Sequence, residues 1–269
     1  MSGVAIFGIT GRMGQTLIRA LREEGKPPLT LVGALASAAS PRLGEDAAAE
    51  GPATGVNITS DVAAALESAA VAIDFSLAHA VAANANACLR ARVPLLVGTT
   101  GIDAAARGVL ESAAATIPVL IAPNTSVGVN VAARLVRLAT LGLGPDYDVE
   151  IVESHHRMKR DAPSGTALAL GEVVAGARGR PLVELAVFDR HGDDEPRAPG
   201  SIGFAVVRAG DIVGEHTVVF ASVGERVEIT HRATDRITFA RGALRAAAWL
   251  AGRPAGLYSM NDVLGFEQP

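Results

Sequence analysis

The chain has 269 residues, enough for one large domain or two of modest size, with 49% hydrophobic, 19% charged and 4% aromatic residues. That aliphatic balance excludes a disordered chain, and a net charge of −4 excludes a general nucleic-acid binder, which needs a broad basic face. A single cysteine, Cys88, excludes an internal disulfide and a thiolate zinc cluster.

Residues 4–7 form a continuous apolar run, the pattern of a strand covered on both faces. They lead into Gly8-Ile9-Thr10-Gly11-Arg12-Met13-Gly14, and residues 13–24 carry helical spacing with Leu17, Ile18 and Leu21 apolar. Strands are predicted at 29–35, 71–76, 93–97 and 118–122, and helices at 79–90 and 103–115. Cys88 falls inside the first of these helices as a packing residue. Strands alternating with helices imply βαβ units, an α/β fold with a Rossmann-type doubly wound parallel sheet. Ligands bind beyond the carboxyl ends of such strands, where four loops fall: 8–14, 74–76, 98–100 and 122–126.

The pattern then changes. A helix at 129–141, a strand at 149–153 and a helix at 165–175 precede strands at 183–188, 202–208, 215–221 and 226–232. The connections 209–214 and 222–225 are short and contain glycine, as hairpins require. The charged, Pro- and Gly-containing stretch 190–200 reads as an exposed flap or crossing loop, and 239–251 as a final helix. The expectation is a dinucleotide-binding domain over 1–126 and 239–269, and an α+β domain with an open mixed sheet over 127–238. An open sheet with few helices to cover it favours self-association, giving the second domain a substrate-binding and oligomerisation role. No apolar run approaches the roughly 20 residues that span a bilayer, and the start lacks a charged leader region, so a cytoplasmic protein without a membrane partner is predicted.

Gly8-x-x-Gly11-x-x-Gly14 follows a strand and opens a helix, where glycines let the backbone approach a pyrophosphate. The end of the second strand reads Leu35-Ala36-Ser37-Ala38, without the carboxylate that grips a ribose 2′-hydroxyl. The reading is NADPH or NADH with a lean to NADPH. Ser37 serves as a donor to a 2′-phosphate with Arg42 nearby, and Arg12 is a further phosphate contact.

The run Glu153-Ser154-His155-His156-Arg157-Met158-Lys159-Arg160-Asp161-Ala162-Pro163-Ser164-Gly165-Thr166 concentrates histidines and cations. Adjacent strand residues point to opposite faces, so the two histidines make a poor metal site. A charge run alone is equally well explained as a solvated face. Ser164-Gly165-Thr166 at a helix start shifts the balance, because backbone N–H groups and hydroxyls there hold a carboxylate. Asp161 orients a neighbouring cation, and histidine, with a reference pKa of about 6.5, donates a proton near neutral pH. Together they suit a small dianion beside a proton donor.

This run resembles the signature of the 4-hydroxy-tetrahydrodipicolinate reductase (dihydrodipicolinate reductase) family. The likeness extends over nearly the whole chain through 8–14, Val97-Gly98-Thr99-Thr100-Gly101, 122–130 and 203–216. The resemblance implies NAD(P)H-dependent reduction of a cyclic dicarboxylate in lysine and diaminopimelate biosynthesis by a homotetramer. It implies His155 as proton donor, Lys159 as second catalytic group, and His156, Gly165 and Thr166 as carboxylate ligands. It also implies a cofactor lined by Gly8, Ile9, Thr10, Gly11, Arg12 and Met13, by Gly98, Thr99 and Thr100, and by Ala122, Pro123, Asn124 and Thr125. Two other readings remain at this stage: a two-domain dehydrogenase for a sugar, inositol or amino-acid aldehyde, and a non-catalytic NAD(P)-binding regulator. The 153–166 run distinguishes this chain from both.

Overall fold

The structure, a computed structural model, describes residues 2–23, 28–192 and 194–266. It divides into two compact units, Met1–Val127 with Arg236–Pro269, and Gly128–Asp235.

In the first unit, β1 (Ser2–Phe7), α1 (Arg12–Leu21), β2 (Leu29–Leu35), β3 (Ile58–Thr59) and α2 (Val62–Leu66) are followed by β4 (Val71–Asp74), α3 (Val81–Ala91), β5 (Leu95–Val97), α4 (Ala104–Ala113) and β6 (Pro118–Ile121). The sheet order, completed by a strand near the C terminus, is β12-β6-β5-β4-β1-β2-β3, with β12 at Gly256–Tyr258. Every pairing in it is parallel, so the predicted doubly wound sheet is present. Val4–Phe7 and all of β4 are buried, as expected of strands covered on both faces. Leu17, Ile18 and Leu21 of α1 enter the core, and Cys88 is fully buried. The predicted helix end at Glu24 lies outside the described residues. The 79–90 helix opens as a 3-10 turn at Ala78–Ala80 before α3. The sequence reading passed over β3 and β12, which are too short to carry a period.

The second unit contains α5 (Val127–Leu143, its first residue in the first unit), β7 (Asp148–His155), α6 (Gly165–Ala177), α7 (Leu182–Leu185), β8 (Ala186–Val187), β9 (Ile202–Arg208), β10 (Gly214–Ser222) and β11 (Glu225–Ala233). Its mixed sheet runs β11-β10-β7-β9-β8. Burial alternates along β7 and β10, so one face packs and the other stays open. Val149, Ile151, Phe204, Val218 and Phe220 bury against Val136 of α5 and Leu170 and Val174 of α6. The chain then returns to the first unit with α8 (Ile237–Leu250), β12 and α9 (Met260–Leu264).

Two sequence expectations need correction here. The predicted 183–188 strand is helix in its first half and strand only at β8: Leu182 and Leu185 are both buried in α7 while Val183 is 86% exposed, so spacing by three overrides alternation there. The 209–214 connection is not a hairpin, because β9 is parallel and β10 antiparallel to β7, which lies between them. Crossing two strand spacings takes about 10 Å, within reach of so short a loop. The 222–225 connection is a hairpin, with Ser222 opposite Glu225 and Gly224 at φ 89°. The 190–200 stretch is the second of its two expected forms, a mostly exposed crossing loop that returns the chain from β8 to the parallel β9, and two arginines pin it. Arg197 Nη1 reaches Asp148 Oδ1 at 2.7 Å, its Nε reaches Glu150 Oε1 at 3.0 Å, and Arg190 Nη2 reaches the same oxygen at 2.8 Å.

Candidate active site

Parallel pairing puts the loops after β1, β4, β5 and β6 on one edge of the first sheet. They are joined edgewise: Phe75 N–H donates to Phe7 O at 3.1 Å, Gly98 N–H to Asp74 O at 2.9 Å, and Ala122 N–H to Val97 O at 2.9 Å. The strand order reverses between β1 and β4, the position where doubly wound sheets take ligands. Gly8 (φ 77°) is required as glycine, since a Cβ would lie 2.5 Å from Phe75 O. At Gly14 a Cβ would lie 2.4 Å from Ile9 O. The backbone therefore turns tightly into α1, which has no side-chain cap and no acid in its first turn. That helix start carries no competing anion and fits a pyrophosphate.

Of the residues read as cofactor contacts in this loop, Gly8 and Met13 are half-buried, Ile9 is buried, and Thr10, Gly11 and Arg12 are exposed. Thr99 is buried and Thr100 exposed after β5, where a Cβ on Gly98 would lie 2.3 Å from the Phe75 ring. After β6, Ala122 and Thr125 are buried, Asn124 is half-buried and Pro123 exposed. Thr125 Oγ1 donates to Phe239 O at 2.8 Å. Gly242 lets α8 meet this loop, since a Cβ there would lie 1.8 Å from Thr125 O.

Asp74, given no role from sequence, organises the edge. It is fully buried, accepts from Ser76 N–H at 2.7 Å, Asn84 Nδ2 at 2.8 Å and Thr99 Oγ1 at 3.1 Å, and so fixes two of the loops. At the end of β2, Ala36 is buried and Ser37 exposed, with no carboxylate at either position. Arg42 is engaged within its own loop, bonding Glu45 Oε2 at 2.9 Å and the carbonyls of Asp46 and Ala48.

In the second unit, His155 ends β7 and Glu153 lies two residues earlier on the same face. His155 Nδ1 lies 2.6 Å from Glu153 Oε2, and the carboxylate orients the ring. Arg208, the register partner of His155 on β9, grips both Glu153 oxygens at 2.8 Å. Ser164 N–H donates to Glu153 Oε1 at 2.9 Å. Burial works to raise the Glu153 pKa, but Arg208, His155 and Ser164 together hold it below the usual carboxylate range. Burial dominates at His155 and lowers its pKa, outweighing Glu153, while Lys159 and Arg208 push the same way.

Gly214 borders the ring, where a Cβ would approach His155 Nε2 to 3.0 Å. Lys159 Nζ bonds Asp161 Oδ2 at 2.8 Å, the expected orientation of a cation. Ser164 caps α6, its Oγ accepting Ala167 N–H at 3.1 Å, and no acid occupies the first turn. Gly165 is exposed at that helix start, and Thr166 and His156 are half-buried. The period of a strand would have put Glu153 beside His155; nothing in the sequence pairs Arg208 or His216 with them.

A doubly wound nucleotide-type sheet on one unit, with a carboxylate-held histidine beside a capped helix start on the other, defines a Rossmann-type reductase of two units. Two family models cover the chain: "Dihydrodipicolinate reductase, N-terminus" over residues 2–125 and "Dihydrodipicolinate reductase, C-terminus" over 128–264. The 4-hydroxy-tetrahydrodipicolinate reductase of Thiobacillus denitrificans is 51% identical over 265 residues, 98% of each chain. That of Laribacter hongkongensis is 51% identical over 263 residues, 97% of each. A dipicolinate-bound dihydrodipicolinate reductase from Paenisporosarcina sp. TG-14 shares the fold at TM-score 0.74 and 23% identity, covering 96% of this chain and 97% of that one. An amine dehydrogenase from Mycobacterium smegmatis shares it at TM-score 0.60 and 14% identity, covering 95% and 94%. The chain belongs to the dihydrodipicolinate reductase family.

Proposed function

We infer that the protein reduces 4-hydroxy-tetrahydrodipicolinate to tetrahydrodipicolinate with NAD(P)H and loss of water, a step of lysine and diaminopimelate biosynthesis. The observation that carries this within the family is the Glu153–His155 pair beside the capped start of α6. A nicotinamide held along the loop edge of the first sheet would supply the hydride for ring C4 of the dehydrated, conjugated imine. His155 delivers the proton that balances the charge developing on the ring nitrogen, and Glu153 holds its ring for that transfer. Lys159 acts beside it, while His156, Gly165 and Thr166 receive the substrate carboxylates. Turnover of nicotinamide absorbance with this cyclic substrate, and none with a panel of alcohols and aldehydes, tests the reading. Reduction of the panel instead would favour the general dehydrogenase.

The residues placed on the cofactor are Gly8–Met13, Gly98–Thr100, Ala122–Thr125 and Ser37. Without a carboxylate after β2, a 2′-phosphate meets no repulsion there, and exposed Arg12 and Ser37 supply donors, so NADPH is the preferred nucleotide. Ser37→Asp is expected to lower kcat/KM for NADPH by about tenfold or more relative to NADH. An unchanged ratio would remove Ser37 from nucleotide choice.

Among the described residues no helix is long and apolar enough to cross a membrane. A cytoplasmic homotetramer is the form in which we infer the protein works. Its assembly would use the open face of the second sheet, where Val152, Ala205, Val207 and Val219 share one side.

A further inference from the structure

His216 is buried in β10 and lies directly opposite Glu153 across the β7–β10 pairing. These two neighbours hold the same residue. Glu153 Oε1 takes the Ser164 backbone N–H at 2.9 Å, and His216 Nε2 lies 2.9 Å from the Ser164 hydroxyl. Ser164 Oγ already accepts Ala167 N–H at 3.1 Å, and a serine hydroxyl has one hydrogen to give. Were the imidazole hydrogen on Nε2, the hydroxyl would accept twice and its own hydrogen would have no acceptor among the described residues. With the hydrogen on Nδ1, the hydroxyl donates to Nε2 and both of its contacts are satisfied; the Nδ1–H is then the one unpaired group, against two, the hydroxyl hydrogen and the Nδ1 lone pair, in the other tautomer.

Burial supports a single-proton ring, pushing His216 down to about 4, with His155 adding to the shift. Among the described residues His216 Nδ1 is buried without a partner, and so is Nδ1 of His231, its register partner on β11. Both rings line a small cavity with Thr166, Leu170 and Ile229.

Resting on the function inferred above, we propose that His216 is a positioning residue for the reaction. As the neutral Nδ1–H tautomer it accepts the Ser164 hydroxyl hydrogen and locks the cap of α6. Glu153 and His216 thereby clamp Ser164 by its main chain and its side chain. Because Glu153 also holds His155, the clamp fixes the helix start that receives a carboxylate relative to the proton donor.

Two variants separate this from simple packing. In His216→Gln the amide oxygen can replace Nε2 as acceptor, whereas His216→Leu fills the space without one. The clamp predicts that the leucine variant raises KM for the cyclic dicarboxylate by about tenfold or more, with the Kd for NADPH unchanged, while the glutamine variant stays near wild type. Packing alone predicts the reverse, because leucine suits a buried site and an amide does not; that order would overturn the proposal. Solid-state 15N NMR of histidine-labelled wild-type protein, with His216 assigned by its loss in the variant, should find Nδ1 protonated at pH 7. A protonated Nε2 would overturn the proposal even if neither variant folds. A wild-type protein inert toward the cyclic substrate would sink the functional reading, while the tautomer would still decide the clamp.

Discussion

Replacing His155 by Gln should lower kcat by about 10²–10⁴-fold, the range lost with a general acid, and leave the Kd for NADPH unchanged. The side chain is 11% exposed, with Nδ1 held by Glu153, so Nε2 is the nitrogen able to face a substrate. Glutamine can keep a bond to Glu153 but delivers no proton. Burial holds the pKa of His155 below its usual 6.5 in the free protein. A donor must be protonated, so kcat/KM should fall as pH rises through that lowered value, and the fall should vanish in the variant. A dianionic substrate stabilises the imidazolium, so the corresponding fall in kcat should come at higher pH. Rates from pH 5 to 9 for both proteins check this. Near-normal kcat in His155→Gln would remove the residue from proton transfer.

The fold was legible wherever burial left a period in the sequence. Four fully buried residues in β1 and the alternation in β7 are direct imprints of two-sided and one-sided cover. Strand β2 lies at its predicted limits, Leu29–Leu35. Partnership between strands leaves no such imprint. A short glycine-containing loop after β9 signals a hairpin, yet β7 occupies the place between β9 and β10, and only pairing reveals it. Ambiguity over α7 has a different source, since four residues are too few to separate the two periods.

The candidate site divides in the same way. His155, Lys159, Ser164 and Thr166 fall in one short segment, so the sequence could raise it as an anion receptor once Ser164-Gly165-Thr166 was read as a helix start rather than part of a solvated face. Arg208 and His216 come from β9 and β10, and they reach Glu153 and Ser164 only through the sheet register. Glu153 was in view but without a role; its place two residues before His155 on a strand is what gives it one. On the nucleotide side, Asp74 ties together loops that the sequence could only place on one edge.

Glu153→Ala should be the most damaging substitution in the second unit. The 1%-exposed carboxylate satisfies Arg208 with two bonds, Ser164 N–H and His155 Nδ1. Its loss leaves a guanidinium that is 18% exposed without its counter-charge, and one whose Nε is already unpartnered. Breaking a buried ion pair by removing one partner costs about 3–5 kcal/mol, and the partial exposure of Arg208 favours the lower end. The lone tryptophan, Trp249, lies in α8 of the first unit, so hydrogen exchange in β7 and β10 is the suitable measurement. Removing Arg208 as well should recover part of the loss, because no cation is then stranded. Glu153→Gln separates stability from chemistry: one amide oxygen cannot accept from Arg208, Ser164 and His155 together, and the imidazolium loses its charge partner. Its kcat should fall by about 10²-fold or more even where exchange rates stay near wild type. A double variant less stable than Glu153→Ala would show that the carboxylate does not act through Arg208. An active Glu153→Gln would free His155 from any dependence on its neighbour.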